Sequence, residues 1–353
     1  MITRFRLENF KGHRDTDLAL QQFTLLVGDN GSGKTSVLEA LRLPGELLER
    51  VGGQVLEEVL HRGADHLVLS VDGSRFSEPW TTSVTLTAPG YHPFGAVWHV
   101  RVHGADKSGP YDSNGPQITH IDVLNRWARS IGNVVLYRFH SEQVAASAYS
   151  EHPGAPVAQD GAQTALALAA LKLADDEAFD RIESAMRRIV PSLHRVRIRQ
   201  AEVLHPSNPN PVVGSKLYFD FQGAKNVPAH HASQGTLVAL ALLTVLHGHS
   251  RPSVILLDDF DHSLHPRAQI ELVRMIKELL ALNEFQGTQI IATTYSPYML
   301  DEVSPSDVIA FALRDDGTVA SKPLSEHPDA PKVNGALKAG ELWTLDAERD
   351  WVQ

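Results

Sequence analysis

Residues Ile2 to Phe10 alternate, with Phe5 and Leu7 apolar while Arg4, Arg6 and Glu8 carry charge. A period of two predicts a half-exposed strand. Asn9-Phe10-Lys11-Gly12-His13-Arg14 reads as a turn, and Thr16 to Leu20 as a returning strand. The apolar run Phe23-Thr24-Leu25-Leu26-Val27 then leads through a glycine-rich stretch into Ser36-Val37-Leu38-Glu39-Ala40-Leu41. A helix is predicted over Glu46 to Leu60, with Leu47, Leu48, Val51, Val55 and Val59 on one side. Short alternating strands follow at Leu67–Val71, Thr81–Thr87 and Val97–Val102, broken up by Gly73, Pro79, Pro89-Gly90 and Pro93. They predict an antiparallel lobe inserted after the first helix. Gly104 to Gly115 is a polar loop, Ile121 to Ile131 carries helical spacing, and Val134–Phe139 reads as a strand.

Ala145 to Ala162 holds two prolines and two glycines and is the best linker candidate. Helices are predicted over Ala165–Leu173 and Asp175–Val190, the second with acids in its first turn, where the dipole favours them. Arg195–Arg199 and Lys216–Phe221 read as hairpin strands around a loop from Pro206 to Pro211. The basic set Arg187, Arg188, Arg195, Arg197 and Arg199 reads as a solvated face, with a local DNA contact as the alternative. Leu237–Leu246 is an apolar helix. Val254-Ile255-Leu256-Leu257 and Gln289–Thr294 are runs expected of strands buried on both faces.

Chemistry concentrates at the ends of these elements. Gly28-Asp29-Asn30-Gly31-Ser32-Gly33-Lys34-Thr35 fits G-x-x-x-x-G-K-[ST] between a strand and a helix, the context a phosphate-binding P-loop needs. Glycines let successive N–H groups face phosphate oxygens, and the helix adds its positive end. Lys34 would neutralise the terminal phosphates and Thr35 would hold Mg²⁺. Asp258-Asp259 closes the apolar strand. Asp258 would hold Mg²⁺ through water and Asp259 would polarise the attacking water, the bland alternative being a pair of helix caps. Ser233 is placed to cap the helix that follows it, and Gly235 to let backbone N–H groups approach an anion. Asp261, His262 and His265 can be read as a metal cluster, a reading weakened because two histidines three apart in a loop lack a third fixed ligand.

The chain has 353 residues and no cysteine, which excludes disulfides and thiolate metal sites. No stretch approaches the ~20 apolar residues of a membrane span. A cytoplasmic protein without membrane contact is expected. The net charge of −10 makes the surface no general polyanion binder.

The order of these motifs resembles the ABC-type ATPase heads of the RecF, SMC and OLD class, and is most similar to compact bacterial members without the long coiled coil. The likeness covers nearly the whole chain, with Asn9-Phe10-Lys11, the helical region Asp160-Gly161 to Pro191, Leu264-His265-Pro266 and Thr294-Tyr295-Ser296-Pro297 falling into place. It implies an α/β fold: a P-loop head with a mixed sheet, an N-terminal antiparallel β lobe and a helical insertion. It implies a single head over 1–353: the P-loop and β lobe in 1–144, linker, helices and hairpin in 145–230, and the remainder in 231–353. It further implies ATP and Mg²⁺ as cofactors and a homodimer, or a higher assembly, closed on two ATP molecules. Asn30, Gly31, Ser32, Gly33, Lys34, Thr35 and Ser36 of one subunit would hold the phosphates, and Ser233 and Gly235 of the other would touch the same γ-phosphate. Asp258 matches the Mg²⁺-linked acid, Asp259 the catalytic acid, and Tyr295 the switch position, while Lys11 falls near the nucleotide and Gln143 at the Mg²⁺-sensing glutamine. His265 falls in the loop that passes between subunits.

Two departures bear on rate. Aspartate at 259 is one methylene shorter than the usual glutamate, and near-attack geometry is sensitive to displacements of ~1 Å. Tyrosine at 295 donates a hydrogen bond but is no base near neutral pH. Slow hydrolysis is expected, with the nucleotide acting as a switch. The head would regulate a separate effector, a nuclease or toxin, in antiviral defence, since no nuclease motif is visible in this chain. The alternative is a DNA-repair or recombination ATPase that binds DNA directly. A transporter subunit fits less well with the Leu-His-Pro and Ser-Pro pieces.

Overall fold

The computed structural model describes residues 1–49, 58–75, 78–87, 98–102, 131–149, 154–205, 208–333 and 336–353. Its strands are β1 (Ile2–Phe10), β2 (His13–Ala19), β3 (Phe23–Gly28), β4 (His66–Arg75), β5 (Glu78–Thr87), β6 (Trp98–Val102), β7 (Val134–Tyr137), β8 (Leu193–His205), β9 (Asn208–Phe221), β10 (Ala224–Pro228), β11 (Val254–Leu257), β12 (Gln289–Thr293), β13 (Val308–Leu313) and β14 (Val319–Pro323). Two units form, one from Met1–Leu136, Pro252–Asp258 and Leu282–Gln353, the other from Tyr137–Arg251 and Asp259–Ala281.

The first unit carries two sheets. One runs β2-β1-β4-β5-β6, antiparallel throughout, with Phe5 opposite Leu18 on one side and Val71 on the other. The alternation predicted for Ile2–Phe10 is borne out: Phe5 and Leu7 are buried and Arg4, Arg6 and Glu8 exposed. Gly73 and Pro79 do not interrupt the strands. They lie inside β4 and β5, opposite Trp80 and Ser74. Glycine is needed at 73 because a Cβ there would sit 2.2 Å from the buried Trp80 ring.

The second sheet runs β14-β13-β3-β12-β11-β7. β3 lies parallel between β12 and β13, β11 is parallel to β12, and β14 closes an edge antiparallel. β3, β11 and β12 are buried at every position. That is why their sequences read as continuous apolar runs, since each fully buried aliphatic side chain contributes ~1.5–3 kcal/mol. The helix Lys34–Glu49 sends Val37, Leu38 and Leu41 into one core shared with Phe5, Leu7, Ile291 and Phe311. This helix runs through Pro44 to Glu49, so no separate helix begins at Glu46. Residues 50–57 lie outside the described residues, and Leu60 makes an isolated bridge with Phe10. The predicted loop Gly104–Gly115 and nearly all of the predicted helix before Ile131 also lie outside them.

The second unit joins five helices, Ser141–Ala145, Thr164–Ala174, Asp176–Ile189, Gln234–His247 and Pro266–Leu280, to the sheet β10-β9-β8. Asp175 caps its helix by accepting from Ala178 N–H at 2.8 Å. β8 and β9 stay paired out to His205 and Asn208, so most of the predicted loop is strand. The described part of the linker candidate is packed: Ala148 bridges Ser215 and Val157 is buried. Four of the five arginines in the basic set have partners inside this unit. Arg187 pairs with Glu183, Arg188 with Glu271 and Glu278, Arg197 with Asp220, and Arg199 with the Asn226 amide oxygen. Among the described residues, no helix is long and apolar enough to cross a membrane.

Candidate nucleotide site

β3 delivers the glycine-rich loop to the edge of the parallel sheet, the position at which open α/β sheets bind ligands. Gly28 has φ +137°, and a Cβ there would meet the Phe311 carbonyl oxygen at 2.2 Å, so the turn out of the strand admits only glycine. Lys34 opens the helix and is almost fully buried. Its ammonium donates to the carbonyls of Gly28 and Asp29, each at 2.8 Å, and lies 4.4 Å from the centre of the Tyr295 ring. The loop therefore folds around its own cation.

Thr35 donates its hydroxyl to Asp258 Oδ1 at 3.0 Å, and Thr293 donates to the same oxygen at 2.9 Å. A hydroxyl beside a carboxylate offers the hard oxygen donors that suit Mg²⁺. The sequence pattern placed Thr35 and Asp258 together at Mg²⁺ but read Thr293 only as part of a buried strand. The parallel pairing of β12 with β11 and β3 is what brings it there.

A recess of about 440 Å³ lies against Gly28, Asp29, Asn30 and Tyr295, and its far wall is the segment Trp343 to Glu348. Trp343 donates its indole N–H to Glu348 at 2.8 Å, while Trp351 is buried edge-on to His327. The two tryptophans of the C-terminal segment thus pack on their own unit. His327, Asp329 and Asp346 lie close enough to share an ion. The ring's Nδ1 accepts the Asp329 N–H at 3.2 Å, however, which leaves the proton on Nε2 and no lone pair there for a metal.

Lys11 forms a 2.5 Å ion pair with Glu39 on the helix after the loop. Gly31 and Asn30 are exposed, Ser32 buried and Ser36 half-buried.

The other predicted residues belong to the second unit. Asp259 is exposed and has φ +49°, a left-handed conformation that aspartate tolerates better than most side chains. Gln143 is exposed on the short helix Ser141–Ala145. Ser233 caps Gln234–His247 by accepting from Thr236 N–H at 3.2 Å. Gly235 has a packing reason as well as the expected one, because a Cβ there would sit 2.6 Å from the Ser263 carbonyl oxygen. Ser233, Gly235, Ser263, His265 and Arg267 line one groove of about 860 Å³.

A family model described as "AAA domain, putative AbiEii toxin, Type IV TA system" matches residues 23–301. The chain belongs to that AAA ATPase family. A second model, "AAA ATPase domain", matches residues 1–43. The fold is that of SMC head domains. An SMC head bound to the C-terminal winged-helix domain of ScpA aligns with a TM-score of 0.62 at 15% identity, covering 92% of this chain and 98% of that one. The SMC head of Thermotoga maritima aligns at 0.52 and 13% identity, covering 91% and 98%. Among curated proteins, the Septu protein PtuA of Bacillus thuringiensis is 35% identical over 71 residues, 20% of this chain. The matched stretch spans 17% of that relative's length.

Proposed function

We propose that this chain is an ATPase head that closes as a homodimer on Mg-ATP and thereby controls a separate effector in bacterial antiviral defence. The observation that carries the nucleotide reading is the loop folded around the Lys34 ammonium with Thr35 and Asp258 joined beside it. When bound, Mg-ATP supplies a γ-phosphoryl group open to attack by water. Lys34 turns its charge from the loop carbonyls to the phosphates. Thr35 and Asp258 offer their oxygens to Mg²⁺, with Thr293 holding the carboxylate. Asp259 orients water, and Tyr295 donates a hydrogen bond near the terminal phosphate. Lys11 and Gln143 take the flanking and Mg²⁺-sensing roles that the family resemblance implies.

Where the residues predicted to contact phosphate lie supports the dimer reading. The loop belongs to one unit, and the groove with Ser233, Gly235 and His265 belongs to the other. One copy's groove against the other's loop completes the pocket. Slow turnover follows from the short Asp259 and the non-basic Tyr295. The family's toxin–antitoxin description and the likeness to the Septu protein PtuA support the defence reading and an effector partner such as a nuclease or toxin. The pairing of four of the five arginines weighs against direct DNA binding, the alternative.

Sedimentation with saturating Mg-ATP and a labelled analogue tests the reading. A nucleotide-dependent shift from monomer to dimer is expected. A chain that stays monomeric and takes up no nucleotide overturns it, and salt-dependent DNA binding by the ATP-bound dimer would favour the alternative.

A further inference from the structure

His13 stands outside every role assigned above, yet it touches the P-loop. Its ring is fully buried at the start of β2. Nε2 lies 3.0 Å from the Gly33 carbonyl oxygen and Nδ1 2.9 Å from the hydroxyl of buried Thr16. A carbonyl oxygen only accepts, so Nε2 carries the proton and Nδ1 accepts the Thr16 hydroxyl. Of the two neutral tautomers, this one satisfies both ring nitrogens. Burial, reinforced by the charge of Lys11, pushes the ring's pKa down to about 4, so it is neutral at physiological pH.

The partner peptide matters as much as the ring. Gly33 C=O also accepts the Val37 N–H at 3.2 Å, the first turn of the helix that Lys34 opens. The Gly33–Lys34 peptide is planar, so its C=O and N–H point in opposite directions. Fastening the oxygen to His13 aims the Lys34 N–H away from the ring. Gly33 has φ +99°, and a Cβ there would lie 2.8 Å from Nε2. Ring and loop are therefore fitted to each other without space for a side chain. Phe311, whose carbonyl backs Gly28, meets the ring edge-on at 6.3 Å.

We propose that His13 is a positioning residue for nucleotide binding, a neutral imidazole that sets the Gly33–Lys34 peptide so that the loop presents its N–H groups and Lys34 in a phosphate-ready form. The proposal rests on the P-loop reading above. A buried hydrogen-bond partner removed leaves the other unsatisfied at a cost of ~1–3 kcal/mol, or roughly 5- to 150-fold in affinity.

The test measures the Kd of a labelled, non-hydrolysable ATP analogue with Mg²⁺, alongside Tm, for wild type, His13→Leu, His13→Gln and Thr16→Val. Gln keeps an N–H donor at the reach of Nε2, whereas Leu keeps volume only. His13→Leu is expected to weaken binding by about tenfold or more, and His13→Gln to recover most of that loss. Thr16→Val, which releases the tautomer, should weaken binding by a smaller factor and serves if His13→Leu does not fold. Imidazole ¹⁵N shifts of the wild type should show Nε2 protonated and Nδ1 bare. Leu and Gln variants that bind equally, or an Nδ1-protonated ring, overturn the proposal while leaving the P-loop reading intact. A wild type that takes up no nucleotide overturns both.

Discussion

The P-loop region and the groove around Ser233 are built on opposite principles. At the loop Lys34, Thr35 and His13 each have a partner within their own unit. Lys34 is wrapped by its own carbonyls, Thr35 and Thr293 converge on Asp258, and His13 holds Gly33. Buried parallel strands hold this assembly in place. The groove instead leaves Ser233, His265 and Arg267 exposed at two helix starts. The first region is preorganised by its own hydrogen bonds, while the second presents exposed side chains, the surface the proposed dimer would use. Damage to the loop should therefore abolish nucleotide uptake in a monomer, whereas damage to the groove should spare uptake and lose assembly.

The largest break is expected from Gly28→Ala. Its Cβ would collide with backbone at a left-handed φ, and a loss of about 3 kcal/mol or more is expected with nucleotide uptake abolished, read by thermal unfolding and analogue binding. Lys34→Ala should keep the fold but weaken Mg-ATP binding by roughly 100-fold, because charge-assisted hydrogen bonds contribute ~1.5–3 kcal/mol each. Ser233→Arg should leave the monomer's affinity for the analogue unchanged and abolish the ATP-dependent dimer in sedimentation. Equal loss of uptake in Lys34→Ala and Ser233→Arg would dissolve the contrast between the two regions.

Finer distinctions come from turnover and pH. Tyr295→His with Asp259→Glu should raise multiple-turnover ATPase by about tenfold if misplaced water limits the rate. Asp259→Glu alone should gain less, because glutamate fits the left-handed backbone at 259 less well than aspartate. No gain in the double variant removes the reason to expect slow hydrolysis. The smallest effect lies far from the loop. Arg197 beside Asp220, with the Asn226 N–H, holds that carboxyl down at about 2, below its ordinary 3.8. A folded pKa below the unfolded one contributes stability above about pH 4 that fades as pH falls towards 2. Asp220→Asn should thus lower Tm at neutral pH, and the difference from wild type should vanish at about pH 2.

The strands of the parallel sheet were legible because burial on both faces leaves no choice of residue type, and the P-loop was legible because phosphate geometry restricts it to glycine, lysine and threonine. The β1 alternation was legible for the same reason in half measure. Local reading failed where a distant residue decided the outcome. Gly73 looked like a breaker, and it is the place where the Trp80 ring fits. A new helix was expected from Glu46, yet Pro44 to Glu49 continue the helix that Lys34 opens, and Asn208 to Pro211, expected in a loop, lie in a long hairpin strand.

By itself the chain determined the order of its chemistry: a phosphate loop, a capped apolar helix and an acidic pair, each written in contiguous residues whose backbone demands are local. Only the tertiary structure decided that Thr293 reaches Asp258, that His13 fastens Gly33, and that Trp343 to Glu348 wall the recess beside the loop. The reason is that hydrogen bonds and packing between segments 20 to 35 residues apart or more depend on sheet register, which a one-dimensional pattern does not carry.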